Sequence, residues 1–367
     1  MTCASGTPST SGPSPSSTVG SVPSSSSSAI PVGSGGRRLT VADGGVQVRR
    51  SSLSRETVPG GTERGRALST PYPPTNRRTH PWLNTTVATG LSGPLVRRPV
   101  YHGVDFSGAA KPADDIWLAS ATPTADGLRV EACRSAATAF DASGRDRSVV
   151  LASLRDWLAD ADGPVGLDVS FGLPRPLLPA VDDWRAFLDW FADAFAGRDA
   201  REMQTALKER AREGAADGVE LKRVTDRPTG ASSPYSFITR YQTLHGIRDV
   251  LAPLVRERGV AVAPMAPDDD PLCEIYPAST LRALGLPDEK YKGGTHEGER
   301  ARRATIVDGL REWGVELDDA TATTLVEEGG GNALDAVVGT VAVARAVARA
   351  FDTNPDRYDP LEGYIYV

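Results

Sequence analysis

Long apolar stretches, lysine, histidine and cysteine are all scarce in this chain of 367 residues. No run of 18 uncharged apolar residues occurs, which excludes an ordinary membrane-spanning helix. The best candidate, residues 333–351, is interrupted by Asp335, Arg345 and Arg349. No membrane partner is therefore expected. No apolar run of 7–15 residues follows a charged start, so no signal peptide is expected either. Three cysteines, Cys3, Cys133 and Cys273, are too few and too far apart for a disulfide framework or a zinc knuckle. A reducing cytoplasm fits them, and a cytoplasmic location is the expectation. His80, His102, His245 and His296 show no metal-ligand spacing. His102 reads as a hydrogen-bonded strand residue rather than a general base.

What is present divides the chain in two. With 40% hydrophobic and 24% charged residues, a packed core is affordable overall. Residues 1–98, however, hold 11 Arg, no Lys and 3 acids, a charge of +8, and 12 of the first 28 residues are serine. Such a composition cannot bury enough apolar surface to offset chain entropy, so a disordered tail is expected. A basic arm touching nucleic acid is the alternative. The other 30 basic and 44 acidic residues give residues 99–367 a charge of −14. A body of that charge repels a polyanion, so contact with nucleic acid needs metal ions, high salt or a local basic groove. Only 5 of the 41 basic residues are lysine, which a salt-rich cytoplasm or a GC-rich genome would each explain.

Hydrophobic patterning from residue 99 onward predicts strands at 100–106, 116–121 and 128–133, a helix at 149–158, and a short buried strand at 165–169. A helical insertion at about 175–265 follows, with helices at 184–195, 201–213 and 237–258. A strand at 273–276, helices at 278–284, 297–313, 320–327 and 333–351, and an edge strand at 363–367 complete the pattern. The expected fold is α/β, a mixed sheet with flanking helices.

Four acids stand out by position. Asp105 ends the first strand, Asp168 lies in the short strand and Glu274 interrupts Cys273-Glu274-Ile275. Asp335 opens the last long helix. A carboxylate in an apolar strand is costly unless paired, hydrogen-bonded or bound to metal. Taken singly, Asp168 could accept backbone N–H groups, Glu274 could be a structural acid, and Asp335 could favour the helix dipole. Asp335, however, shares its face with Val338, Gly339, Ala342 and Ala346. That small-residue face lets the helix lie close on a sheet and aims Asp335 at it. If the acids converge, their repulsion demands a cation. All-oxygen ligands select Mg²⁺ or Mn²⁺. Two such ions about 4 Å apart would suit cleavage of a phosphodiester.

Gly103-Val104-Asp105-Phe106-Ser107-Gly108-Ala109, residues 167–174 (Leu-Asp-Val-Ser-Phe-Gly-Leu-Pro), residues 274–279 (Glu-Ile-Tyr-Pro-Ala-Ser) and residues 332–336 (Asn-Ala-Leu-Asp-Ala) resemble the domain of unknown function 429 family over roughly residues 100–367. Members of that family are described as predicted nucleases of the RNase H fold. The resemblance implies an RNase H-like domain at 99–367, with Asp105, Asp168 and Asp335 as metal ligands. Glu274 is then a fourth catalytic acid, as a fourth ligand or a water-orienting group, and nucleic acid or a nucleotide is the substrate.

Ser107, Arg240 and Lys292 are the candidate substrate contacts. Arg240 and Lys292 belong to a scatter of basic points (Lys222, Arg223, Arg227, Arg248 and Lys290 among them) that equally suits solvated surface. Residues 225–242 read as a substrate loop or a plain connection. Gly329-Gly330-Gly331 before a helix could approach a phosphate. That run supports a rival reading, an ATP-binding phosphotransferase of the sugar-kinase or actin-like type. A third reading is a non-catalytic interaction module on the same fold.

Overall fold

The computed structural model describes residues 99–214, 218–267, 269–294 and 296–367. The tail expected at residues 1–98 lies outside them. Three strands open the fold: β1 (Tyr101–Asp105), β2 (Trp117–Pro123) and β3 (Leu128–Ser135). Helices α1 (Ala136–Ala139) and α2 (Arg147–Ala159) lead to β4 (Val165–Asp168). The insertion consists of α3 (Trp184–Ala194), α4 (Ala200–Glu213), α5 (Asp226–Thr229), α6 (Arg240–Gly246) and α7 (Ala252–Arg258), with π-helical residues Ile247–Leu251 joining the last two. Strands β5 (Val262–Ala263) and β6 (Leu272–Ile275) return to the sheet. Helices α8 (Pro277–Ala283) and α9 (Glu297–Glu312), strand β7 (Val315–Glu316), helices α10 (Asp319–Glu327) and α11 (Asn332–Ala348) and strand β8 (Ile365–Tyr366) complete it.

The sheet runs β5-β6-β4-β1-β2-β3-β7. β1, β2 and β3 form the antiparallel meander, while β4 lies parallel to β1 and β6 parallel to β4. The far edge of β6 is shared. β5 pairs with its first half and β8 with its second, both in parallel. The expected mixed α/β sheet is thus present, with mostly parallel pairings and helices on both faces. Its order is compatible with an RNase H-like topology.

Alternation along the strands sorts side chains between the faces. Val104 and Leu167 join the core beneath α2, α3 and the π-helical segment, where Leu151, Leu154, Phe187, Phe191 and Ile247 are buried. Each fully buried apolar side chain of this size contributes roughly 1.5–3 kcal/mol. The opposite face receives α11, buried almost throughout residues 333–344. Two glycines explain how close this helix comes. A Cβ on Gly103 would lie 2.2 Å from the Ala336 carbonyl oxygen, and one on Gly339 would lie 3.1 Å from the Gly103 Cα. The small-residue face read from the sequence therefore rests directly on β1. Among the described residues, no single helix is long and apolar enough to cross a membrane.

Candidate metal centre

Strand register brings the first two acids together. Asp105 of β1 and Asp168 of β4 are direct partners in a parallel pair, so their side chains emerge side by side on one face. This is the face carrying Gly103, against which α11 packs. Asp335, in the first turn of α11, points down onto the same spot. Each of the three offers a carboxylate oxygen lying within 4.8 Å of the others. Asp105 and Asp335 are buried, and Asp168 opens partly to a pocket of about 590 Å³.

Three acids so placed cannot all ionise cheaply. Burial raises the Asp105 carboxyl well above the ordinary range; the Lys292 charge opposes the rise, and repulsion from Asp335, Asp168 and Glu328 adds to it. Burial likewise pushes Asp168 up to about 7, opposed by Lys292 and reinforced by Asp335 and Glu274. Asp335 is raised by burial too, although Lys292 and a hydrogen bond from the Tyr291 hydroxyl (2.9 Å) work the other way. The Lys292 ammonium ion-pairs with Asp335 and lies 3.9 Å from Asp105. Its stem is partly exposed while its charge turns inward. Burial acts to lower the Lys292 pKa, but attraction to Asp335 and Asp105 outweighs it and holds the group well above its usual value. Three carboxylates and one ammonium leave two negative charges, the complement of one divalent cation. The donors are all hard oxygens, as Mg²⁺ and Mn²⁺ require.

Glu274 is placed elsewhere. It pairs in register with Leu167, not Asp168, so alternation turns its side chain toward the opposite face of the sheet. There both its oxygens accept from Arg223, at 2.5 and 2.8 Å, and one also accepts the Phe171 N–H at 3.1 Å. Arg223 is itself buried and holds Asp226 at 2.7 Å as well. Glu274 touches the pocket lining but does not belong to the group of three.

The remaining candidates separate in the same way. Ser107 and Lys292 line the pocket. Arg240 does not: its guanidinium is buried against the Phe237 ring (4.5 Å) and donates to Gln204 at 2.6 Å. Part of residues 225–242 forms the pocket wall through Ile238, Thr239, Tyr241 and Gln242. Gln242 donates to the main-chain oxygens of Asp168 (2.5 Å) and Phe106 (3.2 Å), tying that wall to the two acid-bearing strands. Gly329-Gly330-Gly331 does enter α11, with Gly331 in the left-handed region (φ 75°). The donors at this helix start are engaged by Glu328: its carboxylate accepts from the N–H groups of Gly330, Asn332 and Ala333, and its carbonyl from that of Gly331.

Residues 103–358 match the family of proteins of unknown function designated DUF429. The chain belongs to this family. No curated protein and no solved structure matches it. Within this DUF429 domain, Tyr291 and Glu328 contribute through Asp335 and its helix without standing among the candidates that the sequence offers. Arg223, one of the basic points, acts through Glu274. Tyr291 lies between Lys290 and Lys292, but nothing in the sequence distinguishes a tyrosine bonded to a buried carboxylate from one packed in a core.

Proposed function

We propose that this protein is a divalent-metal-dependent nuclease of RNase H-like fold that cleaves phosphodiester bonds at Asp105, Asp168 and Asp335. The observation that supports it is the convergence of three carboxylates, from the first strand, the fourth strand and the last long helix, within 4.8 Å. Asp105, Asp168 and Asp335 would hold Mg²⁺ or Mn²⁺. When bound, the ion supplies an acidified water and polarises the phosphoryl oxygen. Lys292, whose ammonium lies between Asp335 and Asp105, would meet a phosphate oxygen drawn onto the carboxylates as a point charge, and Ser107 offers a hydroxyl at the pocket wall. Glu274 serves this site as a structural anchor rather than as a fourth ligand, since Arg223 occupies both its oxygens. A cytoplasmic location belongs to this reading.

The phosphotransferase alternative is less well supported. The glycine run it needs is capped by the chain's own Glu328, which takes the N–H groups of Gly330, Gly331 and Asn332 that a phosphate would use. The test of the nuclease reading is Mn²⁺-dependent cleavage of labelled DNA and RNA by the full chain. Asp105→Asn should abolish it while the circular dichroism spectrum is unchanged; full activity in that variant overturns the assignment.

A further inference from the structure

A second cavity, of about 370 Å³, lies behind the pocket wall. It is lined by Arg147, Arg198, His245 and Arg248, with Asp199 the one acid on its surface. Such a cluster runs against the −14 of the surrounding body. The two nearby acids are engaged. The Asp199 carboxylate accepts the N–H groups of Arg201 and Glu202 at the start of α4, at 2.7 and 2.9 Å. Asp249 is held by His245 at 2.6 Å and by Arg248 at 2.7 and 3.0 Å. Arg248 spends its remaining terminal nitrogen on the carbonyls of Phe195 and Arg198. Two guanidiniums are left over. Among the described residues, the Arg147 guanidinium donates through Nε alone, to the Ala109 carbonyl at 2.7 Å. The exposed Arg198 side chain has no hydrogen bond or ion pair among the described residues.

The cavity adjoins the metal centre. Tyr241 lines both pockets, stacked on His245 with ring centroids 6.5 Å apart. The loop holding Arg147, Ser107-Gly108-Ala109, follows Asp105 after Phe106 and walls the first pocket. It is pressed against α6, since a Cβ on Gly108 would lie 2.3 Å from the Tyr241 carbonyl oxygen.

Guanidinium forks whose terminal nitrogens are in no ion pair among the described residues suit a phosphate, which they grip in a planar, bidentate way. We propose that Arg147 and Arg198 form a second phosphate site, which holds a non-scissile phosphate of the nucleic-acid strand whose reacting phosphate lies on the carboxylates. This rests on the nuclease reading for the identity of the strand. It also supplies the local basic groove that an acidic protein needs to bind a polyanion.

The experiment is fluorescence anisotropy of a labelled single-stranded DNA eight-mer with the full chain in EDTA, so that no metal contributes. Arg198→Gln and Arg147→Gln are compared with the parent, and inorganic phosphate serves as competitor. Each substitution should weaken binding about tenfold, the effect of losing one charge-assisted hydrogen bond. The double variant should lower the slope of log affinity against log salt by about 0.7, the value for one phosphate contact on a single strand. Inorganic phosphate should displace the strand from the parent at concentrations that leave the residual binding of the double variant unchanged. The Arg198 side chain is exposed and makes no hydrogen bond or ion pair among the described residues, so its substitution reads the site with little expected effect on the fold. Parental affinity and salt slope in both single variants overturn the proposal, as does a parent that binds neither probe. Because no metal is present, Arg-dependent binding without any Mn²⁺-dependent cleavage would sink the nuclease reading and leave this site standing.

Discussion

Arg223→Met is the sharpest probe of how Glu274 is used. Arg223 is 1% exposed and bridges two buried carboxylates, Asp226 and Glu274, while donating to the Glu362 carbonyl at 3.0 Å. Burial alone would lower its pKa, but those two acids raise it far above the usual value. Methionine keeps the bulk and removes the charge. Two carboxylates are then left buried without their cation, a loss of roughly 3–5 kcal/mol for a broken buried pair. At roughly 2–4 °C per kcal/mol for a domain of this size, the melting temperature should fall by about 6–20 °C. Adding Glu274→Met should restore part of that loss, because one uncompensated charge disappears with it. Glu274→Gln should keep the Mn²⁺-induced rise in melting temperature, since the side chain faces away from the three aspartates. Calorimetry of the four proteins checks the set. A Glu274→Gln protein of parental stability that no longer responds to Mn²⁺ would refute the structural role and return Glu274 to the ligands.

Two further outcomes follow from the same geometry. Gly103→Ala places a methyl group 2.2 Å from the Ala336 oxygen and forces α11 away from β1. A destabilisation of about 1–3 kcal/mol is expected from such overpacking, with loss of Mn²⁺ binding by calorimetry although no ligand has changed; retained metal affinity would show that the helix seating does not position Asp335. The second concerns pH. Asp168 is pushed up to about 7 in the folded protein, chiefly by burial, against about 3.9 when unfolded. Between those values the folded state binds more protons, so this group's contribution to stability falls as pH rises from about 4 to about 7. In EDTA, Asp168→Asn should show a shallower loss of melting temperature across that window than the parent. Parallel curves would contradict the assigned shift.

Much of the fold was legible because its elements carry strong local patterns. Apolar runs broken by Asp105 and Asp168 marked β1 and β4, and the spacing of Gly339, Ala342 and Ala346 showed which face of α11 meets the sheet. Strands β5 and β7 went unread because two residues each cannot display a period of two; β8 is as short but lies in the apolar run 364–367, which marks it. Helices α6 and α7 read as one because the π-helical residues between them keep the apolar pattern continuous. Glu274 looked equivalent to Asp168 because both interrupt apolar strands. What separates them is the register of β4 against β6, one residue of offset that reverses the face and is set by a partner strand distant in sequence. Arg240 and Lys292 looked alike as basic points. Tertiary packing buries the first beneath Phe237 and turns the second into the carboxylates, and neither outcome has a local signature.

The central claim is that Asp105, Asp168 and Asp335 share a cation. Thermal unfolding of the full chain with increasing Mn²⁺ tests it most directly, because a ligand specific to the folded state stabilises it by about 2.7 kcal/mol at a hundredfold excess over Kd. The melting temperature should rise with Mn²⁺ in the parent and stay flat in Asp105→Asn, Asp168→Asn and Asp335→Asn. A parent that shows no rise, or a rise that persists in all three variants, would contradict it.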